Sequence, residues 1–313
     1  MHTQKIWRDG QFVDWSAATI HVMSHVVHYG SSVFEGIRCY KTPQGGAIFR
    51  LREHVRRLVD SARIYRIPLR HSADVLAQAC IDTVAANDLE ECYLRPVVIR
   101  TGERMGVLPE NVESAVETFV LAVKWGRYLG DEALQRGVDV CVSSWRRPAP
   151  DTFPTLAKAG GNYLNGQLSL LEARGDGYIE GIMLDSFGYI SEGTGENVFV
   201  VRDGIVYTAP IGSAILGGIT RDSVIRILGD LGHEVREQAL PREVLYAADE
   251  VFLTGTAAEI TPVRSVDRIE VGAGRPGPIT LAVQDRYLGI ARGRYSDPYS
   301  WLTPVPEPAV AAR

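Results

Sequence analysis

Two Asp-Gly dipeptides constrain this chain more than any other feature, because each stands between two short runs of strand-forming residues. Asp9-Gly10 separates Lys5-Ile6-Trp7-Arg8 from Gln11-Phe12-Val13, and Asp203-Gly204 separates Asn197–Arg202 from Ile205–Thr208. A type I′ two-residue hairpin turn needs positive φ at both central positions, which Asp-Gly adopts at little cost. Antiparallel hairpins are therefore expected near the start and in the second half.

Apolar spacing predicts a helix over Glu53–Arg66, with Val55, Leu58, Val59, Ala62 and Tyr65 on one face. A second helix is predicted over Ser72–Ala86, with Ser72 as N-cap and Asp74 in the first turn. Strands follow at Tyr93–Ile99 and Thr118–Lys124. Beyond a looser stretch come a strand at Val138–Val142, a helix at Asn162–Arg174 with Gly175 as its cap, and a strand at Ile182–Leu184. A helix beginning near Thr220 and a strand at Val251–Leu253 complete the core, and the Pro- and Ala-rich Thr303–Arg313 is expected to be loose. Strands and helices mix without strict βαβ alternation, so the fold class is α+β. At 313 residues, two domains are expected: 1–125, a linker over 126–134, and a larger domain over 135–313 that contains Lys158.

The net charge of -5, with no basic run, gives no electrostatic reason for a nucleic-acid or anionic-membrane partner. Cys39, Cys80, Cys92 and Cys141 lie far apart and lack zinc-ligand spacing, which predicts free thiols in a reducing compartment and no metal. The opening residues are too polar for a signal peptide, and no run approaches the roughly 18 apolar residues of a membrane span. A soluble, cytoplasmic protein is expected.

Three short segments carry chemistry. Lys158, in Thr155-Leu156-Ala157-Lys158-Ala159-Gly160-Gly161-Asn162-Tyr163, sits among small and apolar residues just ahead of a helix. Desolvation lowers the cost of removing its proton, so the residue suits attack on a carbonyl and Schiff-base formation. In Ser191-Glu192-Gly193-Thr194-Gly195-Glu196-Asn197 the glycines admit close backbone approach to a ligand. Glu192 or Glu196 could there supply the anion that a protonated pyridine nitrogen needs. Leu216-Gly217-Gly218-Ile219-Thr220 leads into a helix, whose free N–H groups and a threonine hydroxyl form an anion site, although Thr220 also suits an ordinary N-cap. A further small-residue loop, Thr254-Gly255-Thr256-Ala257-Ala258, follows the late strand and reads equally well as a strand-to-helix turn.

Longer stretches resemble one family. Those stretches are His21–His25, His28-Tyr29-Gly30-Ser31-Ser32-Val33-Phe34-Glu35-Gly36-Ile37-Arg38-Cys39-Tyr40, Lys158–Tyr163 and Gly255–Val263. They are similar, in order, to the bacterial branched-chain aminotransferases, which are fold-type IV pyridoxal-phosphate enzymes. The resemblance runs from about Trp7 to about Val266 and implies the two-domain architecture of that fold type. It also implies pyridoxal 5′-phosphate as cofactor, amino acids and 2-oxo acids as small-molecule partners, and a homodimer or larger assembly.

Roles follow from the resemblance residue by residue. Lys158 corresponds to the lysine that holds the cofactor and moves the proton, Glu192 to the partner of the ring nitrogen, and Tyr163 to the partner of the ring hydroxyl. Arg57 corresponds to the phosphate arginine, where bidentate pairing is expected. Leu216, Ile219, Thr220 and Thr256 correspond to the rest of the phosphate cup. Tyr93 and Arg95, two apart on one strand face, would line the substrate pocket with Phe34, Gly36, Arg38, Trp125 and Tyr128. Tyr29 and Val107 would reach the pocket of a partner subunit. Thr256 and Ala257 would receive the substrate α-carboxylate, and Arg95 the γ-carboxylate of glutamate.

The sequence departs from the family at Asp185-Ser186-Phe187-Gly188, where Asn often replaces Phe, and at Gly217, where proline is common. Arg100 and Arg104 are expected to bring positive charge near the pocket entrance. The rival readings on the same scaffold are a D-amino-acid or (R)-amine transaminase and an aminodeoxychorismate lyase, against which Tyr93-Leu94-Arg95-Pro96 argues. A non-catalytic binding protein is the rival from another class, opposed by the presence of Lys158, Glu192 and Arg57.

Overall fold

The computed structural model describes residues 3–126, 129 and 132–306, which divide into two compact units. Unit 1 takes the described residues of 1–125, 157–161 and 289–313, and unit 2 those of 126–156 and 162–288.

In unit 1 the first hairpin forms as its turn dictates: β1 (Lys5–Arg8) pairs antiparallel with β2 (Gln11–Asp14), and Asp9 and Gly10 both take positive φ. After the short helix α1 (His25–Tyr29) come β3 (Ser32–Phe34), β4 (Ile37–Thr42) and β5 (Gly45–Phe49). Helices α2 (Leu51–Ile64) and α3 (Ala73–Ala86) follow, then β6 (Cys92–Arg100) and β7 (Val116–Val123). The Ser72 hydroxyl caps α3 by accepting from Val75 N. The terminal strand, β5, β4, β6, β7, β1 and β2 lie in that order, with β3 also on β6. Val55, Leu58 and Ala62 of α2 and Leu76, Cys80 and Val84 of α3 bury against Ile37, Leu94, Val98 and Val120 of this sheet. The apolar stripe read from sequence is thus the face that closes the core.

Unit 2 holds α4 (Ala133–Arg136), β8 (Val138–Val142), α5 (Tyr163–Gly175), β9 (Glu180–Ile182), β10 (Asn197–Arg202) and β11 (Ile205–Thr208). It continues with α6 (Ile219–Asp230), β12 (Val235–Glu237), β13 (Glu250–Gly255), β14 (Glu259–Val266) and β15 (Ile269–Glu270). The sheet order is β12-β11-β10-β13-β14-β8-β9, with β15 on β14. The β11–β12, β14–β8 and β8–β9 pairs are parallel, and the others are antiparallel. A mixed sheet here and a fully antiparallel one in unit 1, each with helices, fit the α+β class.

Several expectations need correcting. The placement of Lys158 in the second domain fails, because its segment groups with unit 1. Ala159 bridges Val33, the Lys158 carbonyl accepts from Phe34 N at 3.0 Å, and Lys158 N donates to Ser61 Oγ at 2.9 Å. Residues 289–306 also join unit 1, and the looseness expected of Thr303–Arg313 fails at Thr303 and Pro304, which lie in a strand, Leu302–Pro304, paired antiparallel with β5. Of the expected linker 126–134, residues 127, 128, 130 and 131 lie outside the described ones, and Ala133 already begins α4. Gly175 is the last residue of α5 rather than its cap, and the glycine with positive φ is Gly177.

Candidate active site

In unit 1 the central strand β6 organises the expected substrate residues. Pro96 has no N–H to give to the ladder, and opposite it the neighbouring chain breaks: β3 pairs with Val97–Ile99 and β4 with Cys92–Leu94. Glu35 and Gly36 fill the gap, with Glu35 N donating to Pro96 O at 2.8 Å. A Cβ on Gly36 would lie 1.8 Å from the Tyr93 hydroxyl, so that ring closes directly over the glycine. Trp125 meets the Tyr93 ring edge-on at 4.5 Å. Arg95 lays its guanidinium 4.6 Å from the Phe34 ring and 5.6 Å from that of Tyr93, and its buried Nε has no hydrogen-bond partner among the described residues. The Lys158 ammonium sits 5.0 Å from the same Phe34 ring. Arg38 is buried beside them, in register with Tyr93. Tyr128 lies outside the described residues.

One face of α2 carries His54, Arg57 and Ser61, spaced three and four apart. Glu35, fully buried, accepts from Arg57 Nε at 2.6 Å and Nη2 at 2.9 Å, and its Oε2 lies 2.7 Å from His54 Nδ1. The expected bidentate edge of Arg57 therefore faces an internal carboxylate. Burial alone would raise the Glu35 carboxyl, but the charges of Arg57 and His54 and their hydrogen bonds outweigh it and hold it far below the usual carboxylate range. His54 is pushed down, first by burial and then by Arg57 and Lys158, against the opposing pull of Glu35. Facing the carboxylate, Nδ1 is the donor of this pair. Arg56, by contrast, points into solvent with 85% of its side chain exposed.

Tyr29 and Val107, expected to serve a partner subunit, belong to one surface region of unit 1. The Tyr29 hydroxyl accepts from Gly106 N at 3.1 Å, and Val107 is 81% exposed. Arg100 does not bring free charge there. It is buried and donates to the carbonyls of Glu110 and Arg66 at 2.9 and 2.6 Å, which spends its donors on the backbone. Arg104 is exposed.

In unit 2 the turn 193–196 places Glu192 and Glu196 differently. Glu196 folds back to accept from Gly195 N at 3.0 Å. Glu192 Oε2 accepts from Leu216 N at 2.9 Å and Asn197 Nδ2 at 3.1 Å, and Oε1 lies 2.9 Å from Arg147 Nη2. Gly218, not Thr220, is the N-cap of α6, and a Cβ on it would lie 2.0 Å from Asn197 Oδ1. The N-terminus of α6, with Ile219 and Thr220 in its first turn, is thereby packed against the residue that holds Glu192. Thr256 and Ala257 lie between β13 and β14, so the loop is a strand-to-strand connection and not a strand-to-helix turn. The backbone approaches closely there: a Cβ on Gly255 would lie 3.2 Å from Gly195 O. Tyr163 opens α5, whose Gly166 would, with a Cβ, come within 2.7 Å of Thr194 O.

Sequence reasoning passed over Glu35, His54, Ser61, Asn197 and Arg147. The first three had a signal: a glutamate inside Phe34-Glu35-Gly36, and polar residues on the Arg57 face of an amphipathic helix. Arg147, in Ser144-Trp145-Arg146-Arg147-Pro148, had none.

The family model for amino-transferase class IV matches residues 32–266, and the chain belongs to that family. Within it, the chain is 54% identical over 300 residues to the branched-chain-amino-acid aminotransferase of Escherichia coli (strain K12), covering 96% of this chain and 97% of the relative. The crystal structure of the Escherichia coli branched-chain amino acid aminotransferase matches with a TM-score of 0.95 at 53% identity, covering 97% of this chain and 100% of that one. The T.th. branched-chain amino acid aminotransferase, solved with pyridoxamine 5′-phosphate, matches with a TM-score of 0.94 at 44% identity, over 98% of this chain and 100% of that one.

Proposed function

We propose that this chain transfers amino groups between the branched-chain L-amino acids leucine, isoleucine and valine and 2-oxoglutarate, using pyridoxal 5′-phosphate. The observation that carries the substrate reading is Arg95. Its guanidinium is held over the rings of Phe34 and Tyr93, with a buried Nε that has no partner among the described residues. A buried donor without a partner is costly, and a ligand carboxylate would satisfy it. The rings suit an aliphatic side chain equally well, so one surface serves glutamate and leucine.

The residues of each unit fit the cofactor. In unit 2 the N-terminus of α6, begun by Gly217 and Gly218, suits the phosphate through the N–H groups of Ile219 and Thr220, with Leu216 and Thr256 alongside. Glu192 is a buried anion suited to the ring nitrogen, and Tyr163 to the ring hydroxyl. In unit 1 Arg57 supplies the guanidinium for the phosphate, and Lys158 the amine. Pyridoxal phosphate supplies the carbonyl that takes up the amino group and the ring that accepts electrons from the substrate α-carbon. Lys158 holds the cofactor covalently and carries the proton at the α-carbon. Gly36 leaves the space that the Tyr93 ring occupies in the pocket wall, Arg38 borders the substrate, and Thr256 and Ala257 offer backbone to its α-carboxylate. Tyr29, Val107 and Tyr128 complete the pocket, the first two from a partner subunit, which makes the working assembly at least a homodimer.

Cytoplasmic location belongs to the same reading, since all four cysteines are free and buried. Among the described residues no helix is long and apolar enough to cross a membrane, and no cluster could hold a metal ion. The test is a panel of L- and D-amino donors and (R)-amines with 2-oxoglutarate, run on the wild type and Lys158→Ala. Turnover confined to L-branched-chain donors and glutamate, and abolished in the variant, is the expected result. Preference for D-donors or amines, or retained turnover in Lys158→Ala, would overturn it.

A further inference from the structure

Arg147 is a charged residue only 8% exposed, and neither an expected motif nor a substrate role accounts for it. It lies behind Glu192: Nη2 is 2.9 Å from Glu192 Oε1, Nη1 donates to Asn165 Oδ1 at 3.4 Å and Nε to the Ala214 carbonyl at 3.3 Å. Its own N–H donates to Leu184 O at 2.8 Å, so the backbone is fixed as well as the side chain. Arg147, Asn197 Nδ2 and Leu216 N all donate to this carboxylate, and the first of them carries a full positive charge.

A carboxylate and a protonated ring nitrogen meeting in a dry site have two ways to share one proton. As an ion pair, the proton stays on nitrogen. As a neutral pair, it moves to the carboxylate and both charges disappear. Burial favours the neutral pair, because an isolated charge is costly to desolvate. Hydrogen bonds and an opposite charge at the carboxylate favour the ion pair. We propose that Arg147 is a positioning residue that keeps the charge on Glu192, so that the ring nitrogen of the bound cofactor holds the shared proton. This rests on the reading of Glu192 as the ring-nitrogen partner. The guanidinium would act through the carboxylate, without touching cofactor or substrate, and the electron-accepting strength of the ring would depend on it.

The experiment uses holoenzyme reconstituted with pyridoxal phosphate labelled with nitrogen-15 in the ring, whose resonance differs between protonated and unprotonated nitrogen. Wild type and Arg147→Lys are expected at the protonated position. Arg147→Met is expected to move toward the unprotonated position with cofactor still stoichiometric, and its half-reaction with L-leucine to slow about tenfold for each pK unit the proton shifts. Arg147→Gln, which keeps a donor but no charge, is read in the same way should the methionine variant lose cofactor. A protonated resonance in both neutral variants would overturn the proposal. So would equal displacement in Arg147→Lys and Arg147→Met, which would mark a merely structural arginine. Glu192→Gln separates the two levels: an unmoved resonance there would remove the Glu192 reading itself, and the proposal with it.

Discussion

Arg57 turns its Nε–Nη2 edge onto Glu35, and both oxygens of that buried carboxylate accept from it, at 2.6 and 2.9 Å. The arginine proposed for the cofactor phosphate is thus aimed by an internal anion, and His54 fixes that anion from the other side at 2.7 Å. Glu35→Gln should break the fork, since an amide cannot accept two N–H groups through both atoms. Removing one partner from a buried pair costs about 3–5 kcal/mol. A lowered melting temperature and weaker pyridoxal-phosphate binding in spectroscopic titration are expected, and unchanged binding would separate Glu35 from Arg57.

The same cluster sets an acid limb. Glu35 and His54 both titrate lower in the folded chain than in the unfolded one, so the unfolded state binds more protons as pH falls. Their contribution is fully present above the unfolded values and is lost on acidification, beginning near pH ~6.5 for His54 and near pH ~4.3 for Glu35. His54→Asn should flatten the upper part of that decline relative to wild type. Denaturant unfolding measured between those values checks it, and parallel curves would contradict it.

Gly36→Ala tests the substrate wall. Its Cβ would stand 1.8 Å from the Tyr93 hydroxyl and force that ring out toward Trp125. Overpacking of this kind costs about 1–3 kcal/mol. The variant should fold and bind cofactor but lose most of its kcat/KM for leucine. Wild-type efficiency would place the pocket elsewhere.

Arg95→Ala should harm glutamate and 2-oxoglutarate far more than leucine and its keto acid. Losing a charge partner in a partly dry pocket costs roughly 2–5 kcal/mol, whereas an aliphatic side chain needs no such partner. Half-reaction kinetics for the two donors measure the difference. Equal losses would make Arg95 a support of β6 only.

Arg100→Leu should loosen the segment leading to Val107 without changing substrate charge preference, because the guanidinium is committed to the Glu110 and Arg66 carbonyls. Faster amide exchange over 101–112 is the expected signature. A shifted preference among acidic donors would restore the idea that its charge reaches the entrance.

Local sequence determined whatever depends on neighbours along the chain. The Asp9-Gly10 and Asp203-Gly204 turns, the apolar stripe from Val55 to Ala62 and the Ser72 cap each follow from backbone preference or side-chain period, and the hairpins and helices form where those signals stand. The Lys158, Glu192 and Gly217-Gly218 segments carried only weak local signals, and the resemblance to a known family is what assigned them their proposed roles. Tertiary structure decided what depends on partners distant in sequence. Lys158 belongs to unit 1 because Phe34 and Ser61 hold its backbone, and no signal near residue 158 encodes that. Gly218 displaced Thr220 as the cap of α6, where Asn197 leaves no space for a side chain. Glu35 lies 22 residues from Arg57, and Arg147 precedes Glu192 by a strand and a helix. A charge is stable in a core only where the fold delivers its counter-charge, and that pairing arises in three dimensions.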